Sequence, residues 1–223
     1  MNELIINHVT KTLKKIKVLN DITLEFDKGR IYGLYGRNGS GKTMLLRAIA
    51  GLIFPEKGEI RINGQRLMDD IDFPPDMGVI IEHTTLLPQY SAFMNLKLLS
   101  EIRKVATEED IRTALKRVNL DPDDNRKVKV YSLGMKQRLA IAQAIFEHPK
   151  FLLLDEPTNA LDEESIMDIR TLLLSMRDEG CMILLASHNK EDLKLLCDEI
   201  YRMDEGRLTK FDSSALFDKA DVI

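Results

Sequence analysis

The chain has 223 residues, 44% hydrophobic and 30% charged, with a formal net charge of −4. That length supports one substantial core and the composition is that of a globular protein, while the acidic balance argues against nucleic acid as a partner, which would favour a basic face. Cys181 and Cys197 fall in apolar or helical stretches and are expected to be reduced core thiols, Met1-Asn2-Glu3 does not open a secretory signal, and no apolar run approaches the ~20 residues of a membrane-spanning helix.

In chain order, residues 4–9 alternate as a short strand and residues 22–26 as a second, with Lys11, Lys14, Lys15 and Lys17 between them on a solvated hairpin face. Asp27-Lys28-Gly29-Arg30 then turns into the apolar strand Ile31-Tyr32-Gly33-Leu34-Tyr35. The next segment, Gly36-Arg37-Asn38-Gly39-Ser40-Gly41-Lys42-Thr43, satisfies the phosphate-cradling pattern G-x-x-x-x-G-K-[ST] at every fixed position. A helical run from Met44 ends near Gly51. Glycines let successive N–H groups curl toward phosphate oxygens, and the following helix adds positive potential. Lys42 is expected to reach the β- and γ-phosphates and the Thr43 hydroxyl to take one magnesium position.

Residues 58–64 predict a strand leading into a turn, and residues 77–81 a strand ending at Glu82. From His83 to about Phe146 the pattern is helical: one helix starts at Ser91, another at Thr107-Glu108-Glu109-Asp110, and Asp121-Pro122 breaks the pattern. Ser132 then caps a long amphipathic helix running to His148-Pro149. Residues 151–154 and 182–186 are buried strands separated by a helix over about 163–178, a βαβ unit of a parallel sheet. A closing hairpin over residues 199–210 leads into a short tail.

Leu153-Leu154-Asp155-Glu156 is an apolar strand ending in two carboxylates, and ligands sit at strand ends in α/β sheets. Asp155 is placed to hold magnesium opposite Thr43, and Glu156 to orient and polarise the attacking water. His188 follows the neighbouring strand and is expected to contact the γ-phosphate.

The phosphate loop, Tyr131-Ser132-Leu133-Gly134-Met135-Lys136-Gln137-Arg138, Leu154-Asp155-Glu156-Pro157-Thr158, Asn159-Ala160-Leu161-Asp162 and Ser187-His188, in that order, resemble the ATP-binding subunit of an ABC transporter over residues 5–210. The resemblance implies an α/β P-loop NTPase: a RecA-like, mostly parallel core sheet with an N-terminal antiparallel β subdomain and an inserted α-helical subdomain. All of 1–223 would form one domain, with 1–82 and 147–223 as the β subdomain plus core and about 83–146 as the helical subdomain. It implies ATP and Mg2+ as cofactors, with Gly36, Arg37, Asn38, Gly39, Ser40, Gly41, Lys42, Thr43 and Met44 around the phosphates. Thr43, Asp155 and Glu82 would hold the metal, and Glu156 and His188 would be catalytic.

It also implies a head-to-tail homodimer with two ATP molecules at the seam, each site completed by Ser132 and Gly134 of the second copy, with Asp162 at the same interface. Ser132 at a helix N-terminus makes an anion site that would be spare within one subunit. A separate integral membrane permease would be driven from the cytoplasmic side, placing the chain peripherally on the inner membrane face. Leu86, Leu87, Tyr90 and Phe93 are candidate anchors for that contact. The alternative is a soluble ATP-driven switch of the same family, not coupled to transport.

Three features depart from the family pattern, the first being the signature, usually Leu-Ser-Gly-Gly-Gln and here Tyr131-Ser132-Leu133-Gly134-Met135. Met135 stands where a glutamine usually follows the signature glycines, and cannot replace its hydrogen bonds. Glu82 replaces a glutamine that touches magnesium and water, adding a carboxylate and, with it, an expected distinctive metal or pH dependence. Leu13 occupies the place of the aromatic that stacks on adenine, so base selectivity is expected to be weak. Glu82, the Ser-Leu-Gly-Met segment and Leu87-Pro88-Gln89-Tyr90-Ser91-Ala92-Phe93 look most like the exporters of bacitracin-like peptides and lantibiotics.

Overall fold

Strand β1 (Leu4–Leu13) turns at Lys14-Lys15 into β2 (Ile16–Phe26). Both turn residues have positive φ, 48° and 68°, the backbone that matches the right-handed twist of a two-residue hairpin. The strands are longer than the alternation in sequence predicts. Register shifts between Ile6 and Val9, Val9 and Lys11, and Lys11 and Thr12 flip the face presented by the chain, so the period of two stops near Val9 while the pairing continues. Strand β4 (Lys57–Ile62) pairs on the other side of β1, and β5 (Gln65–Arg66) pairs with β4, giving an antiparallel sheet of order β2-β1-β4-β5. These elements belong to a computed structural model that describes residues 4–82 and 84–211.

The second sheet contains β3 (Ile31–Tyr35), β6 (Met77–Ile80), β7 (Phe151–Asp155), β8 (Met182–Ala186), β9 (Glu199–Asp204) and β10 (Arg207–Phe211), in the order β10-β9-β3-β8-β7-β6. All neighbours are parallel except the β9–β10 hairpin. Helix α1 (Lys42–Ile49) follows β3, and α5 (Glu163–Asp178) joins β7 to β8 as the expected βαβ unit. Helix α6 (Lys190–Leu196), which the sequence reading did not anticipate, joins β8 to β9.

The unbroken apolar runs of β7 and β8 follow from burial on both faces. Phe151, Leu153, Met182 and Leu184 pack in one cluster with Leu45, Leu46 and Ile49 of α1 and with β1 and β4. Leu152, Leu154, Ile183 and Leu185 face a second cluster. Full burial of each such side chain stabilises by about 1.5–3 kcal/mol.

That second cluster is shared with α2 (Ala92–Arg103), α3 (Glu108–Arg117) and α4 (Leu133–Ile145), which lie between β6 and β7 in sequence. Ser91 Oγ accepts the Met94 N–H to cap α2, and Thr107 with Asp110 forms a capping box at α3. Helix α4 stops at Ile145, short of the expected His148-Pro149, and His148 reverses the chain at φ 53°. Glycine is required at Gly78 of β6, where a Cβ would fall 1.9 Å from the Ala144 carbonyl oxygen of α4. His83, where the helical subdomain was expected to begin, lies outside the described residues, as do residues 1–3 and the tail, 212–223.

Candidate functional site

Strand β3 is central, between β9 and β8, and delivers the segment Gly36 to Gly41 to the carboxyl edge of the sheet. Two glycines there are dictated by close approach. A Cβ on Gly36 would fall 2.3 Å from the Met203 carbonyl oxygen, and one on Gly41, at φ 114°, would fall 2.5 Å from the Val18 carbonyl oxygen. From the β9–β10 turn, the Gly206 N–H donates to the Ser40 carbonyl at 2.9 Å. Lys42 Nζ donates to the carbonyls of Gly36 at 2.6 Å and Arg37 at 3.2 Å, crossing its own loop. Burial pushes the Lys42 pKa down, opposed by the nearby Glu156 and Asp155 carboxylates. Ser40 Oγ is buried without a hydrogen-bond partner, while Arg37, Asn38 and Gly39 are exposed.

Because β7, β8 and β3 are adjacent and parallel, their following loops meet. Thr43 Oγ1 donates to Asp155 Oδ2 at 2.6 Å, joining the two motifs across 112 residues. Glu156 has φ 52°, and its N–H donates to the Ala186 carbonyl of β8 at 2.9 Å. Its carboxylate accepts the His188 N–H at 3.0 Å and lies 2.8 Å from His188 Nδ1. Glu82, at φ 57°, lies two residues beyond the end of β6, and its carboxylate is paired with Arg47 of α1 at 2.7 Å. The Arg47 partner was absent from the sequence reading, since a last-turn arginine is an ordinary helix-end residue.

A cavity of about 670 Å³ is lined among others by Lys42, Thr43, Glu82, Asp155 and Glu156, while His188 is not among its lining residues and reaches it through Glu156. Gly39, Gly41, Asn38 and Met44 also line it, as does Val18 of β2; Leu13 does not. Leu13 sits at the hairpin tip, 37% exposed.

Ser132 caps α4 by accepting the Met135 N–H at 3.1 Å, and Gly134 packs close to the Ala160 carbonyl, which a Cβ would approach to 3.3 Å. Leu133 and Gln137 of this helix reach the cavity, whereas Ser132 and Gly134 are not among its lining residues. Gln137, for which the motif pattern implies no contact, donates through Nε2 to the Pro157 carbonyl at 2.9 Å. Asp162 caps α5 by accepting the Ser165 N–H at 2.9 Å, and the hydrogen bonds from Ser165 lower its pKa. Arg138 of α4 in turn donates to Ser165 Oγ, so the signature helix is tied to the segment after Glu156 within one chain.

Of the four proposed anchors, Leu86 and Phe93 pack against the core, while Leu87 and Tyr90 are 36% and 39% exposed. Met94, Leu98 and Ile102 continue this apolar exposure along α2 at four-residue spacing.

A family model described as ABC transporter matches residues 19–159. The uncharacterized ABC transporter ATP-binding protein YybJ of Bacillus subtilis (strain 168) is 54% identical over 201 residues, covering 90% of this chain and 92% of that protein. The bacitracin transport ATP-binding protein BcrA of Enterococcus faecalis is 37% identical over 205 residues, covering 91% of this chain and 67% of that protein. The dimeric structure of a post-hydrolysis state of the ATP-binding cassette MJ0796, bound to ADP and Pi, superposes with a TM-score of 0.83 at 26% identity, covering 94% of this chain and 99% of that one.

Proposed function

The chain belongs to the ABC transporter family as an ATP-binding subunit and ATPase, and from that premise we propose that two copies close head to tail over two ATP molecules and drive a separate membrane permease. The convergence of Lys42, Thr43, Asp155 and Glu156 on one cavity carries the ATP-hydrolysing part of this reading. Lys42 is the cation for the β- and γ-phosphates, and the Gly36–Thr43 loop supplies N–H donors to them. The buried, unpartnered Ser40 hydroxyl and the open side of Gly39, where an added Cβ would touch nothing, fit a loop that takes a polyanion.

Magnesium fits the same place through hard oxygen donors, the Thr43 hydroxyl and the Asp155 carboxylate. Among the described residues there is no cluster of three or more His, Cys, Asp or Glu able to hold a metal. When bound, it neutralises phosphate charge. Glu82 is the third candidate ligand, and one of its carboxylate oxygens, Oε2, is held by Arg47.

Glu156 orients the attacking water and takes its proton, and His188 holds Glu156 in place and meets the γ-phosphate. Ser132 and Gly134 of the second copy supply the N-terminus of α4 to that phosphate. Asp162 and the neighbouring loop face the seam.

The exposed row Tyr90, Met94, Leu98 and Ile102, with Leu87, is the surface for the permease. Among the described residues no helix is long and apolar enough to cross a membrane, and on this reading the chain meets the bilayer through the permease, on its cytoplasmic side. By its likeness to BcrA, named for bacitracin transport, the cargo is a peptide antibiotic or similar compound, and the direction, on the sequence resemblance to peptide exporters alone, is export.

The test is a Glu156→Gln chain with ATP and magnesium, followed by light scattering. Loss of hydrolysis with a stable ATP-dependent dimer supports the shared site, and a monomer at every concentration overturns it. Purification from membranes distinguishes the transporter subunit, which brings an integral membrane protein with it, from a free ATP-driven switch, which does not.

A further inference from the structure

Two residues beyond Glu156, the Thr158 hydroxyl donates to Asp192 Oδ2 at 2.6 Å. Asp192 lies four residues beyond His188, in the first turn of α6, and has no exposed surface. Its other oxygen accepts from Arg170 of α5, through Nε at 2.8 Å and Nη2 at 2.7 Å. The same guanidinium reaches Glu191 Oε2 at 3.0 Å. Thr158 and Arg170 are 6% and 7% exposed, so the three side chains Thr158, Asp192 and Arg170 are buried, with the exposed Glu191 at the rim.

A buried ion pair is weak as a source of net stability, because removing both charges from water costs about as much as their attraction returns. What this one does is geometric. The loop after β7 carries Glu156 and the loop after β8 carries His188, and each loop is fastened to the same carboxylate within a few residues of its functional side chain. Asp192 cannot turn to follow either loop alone, since Arg170 grips it from a long helix packed on the sheet.

We propose that Thr158, Asp192 and Arg170 are positioning residues for ATP hydrolysis, which hold the Glu156 loop against the His188 loop so that the carboxylate and imidazole present one fixed arrangement to the attacking water. This rests on the assignment of Glu156 as the group that activates that water.

Removing Arg170 or Asp192 singly would strand a buried charge and unfold too much. Thr158→Val deletes only the hydroxyl while keeping the shape, and Thr158→Ser returns it. The full-length chain is assayed with ATP and magnesium for kcat, KM and ATP-dependent pairing, and without nucleotide for amide hydrogen exchange. The Val variant is expected to lose kcat by about tenfold to a hundredfold, the effect of a small misplacement of a reacting group, with KM and pairing unchanged. Exchange is expected to rise over residues 156–160 and 187–192, and Ser is expected to rescue both readouts. Ser100→Ala, which removes a buried hydroxyl from α2 (Oγ to the Lys97 carbonyl, 2.8 Å), measures general loosening and is expected to keep kcat.

Wild-type kcat in Thr158→Val, unchanged exchange in the two loops, or an equal kcat loss in Ser100→Ala each overturns the proposal. If Glu156→Gln turns over normally while Thr158→Val does not, the assignment of Glu156 falls and the tie between the loops stands. The opposite pattern removes the tie alone.

Discussion

Glu156 and His188, 32 residues apart, are joined twice: by the backbone N–H of His188 at 3.0 Å and by its Nδ1 at 2.8 Å, one to each carboxylate oxygen. Both oxygens are thus oriented by a single residue. His188→Ala keeps the backbone contact and loses the ring. Its kcat is expected to fall by about 10²-fold or more, the scale of a lost acid–base partner, with ATP affinity little changed. Steady-state kinetics alongside equilibrium ATP titration checks this, and a pure affinity loss would assign His188 to binding alone.

Glu82 was expected to bring negative charge to the phosphates, but its pairing with Arg47 offsets that charge. The pair is substantially exposed, 34% for Arg47 and 52% for Glu82, so its breakage is expected to change stability by less than about 1 kcal/mol. Its effect belongs on the metal. Arg47→Ala frees the carboxylate and is expected to lower the magnesium concentration for half-maximal turnover, and Glu82→Gln in that background is expected to abolish the gain. A magnesium titration identical in all three chains would take Glu82 out of the metal site.

Leu13 stands at the hairpin tip where an aromatic ring would supply a stacking face. Leu13→Tyr is expected to tighten ATP binding by about 0.5–1.5 kcal/mol, the increment of an aromatic contact. In the unmodified chain GTP is expected to compete as well as ATP. Calorimetric titration of both nucleotides into both chains decides it; equal affinities in the two chains would move the base elsewhere.

Asp110 is held down to about 2 from an ordinary 3.8 by the Thr107 hydroxyl, then by the Thr107 backbone N–H and His148. A depressed carboxylate contributes its stability above its unfolded value and loses it as pH falls through the folded one. The capping of α3 should therefore be intact at neutral pH and fade between pH 3.8 and about 2. Denaturant melts of the chain and of Asp110→Ala should differ at pH 6 and converge toward pH 2. A constant gap across that window would show that the cap does not depend on the charge.

Much of the site was legible in sequence because its parts are local. A strand, a glycine turn and a helix fix the phosphate loop within one contiguous stretch. An apolar strand ending in Asp155-Glu156 needs only burial on both faces. The caps at Ser91, Thr107 and Ser132 follow from side chains that reach N–H groups one turn away.

The order β3-β8-β7 is a different kind of fact. Once those strands lie side by side, Thr43 meets Asp155, Glu156 meets His188, and Thr158 and Arg170 meet Asp192. Nothing near Asp192 in sequence marks it as buried, since Lys190, Glu191 and Asp192 look like an ordinary charged helix start. Arg47 likewise looks like a helix-end cation until β6 brings Glu82 beside it. Local backbone chemistry, set by hydrogen bonds and sterics over a few residues, determined the motifs. Which charges are paired, buried or left facing the cavity was decided only by tertiary packing, because those partners share no stretch of chain and meet only across the assembled sheet.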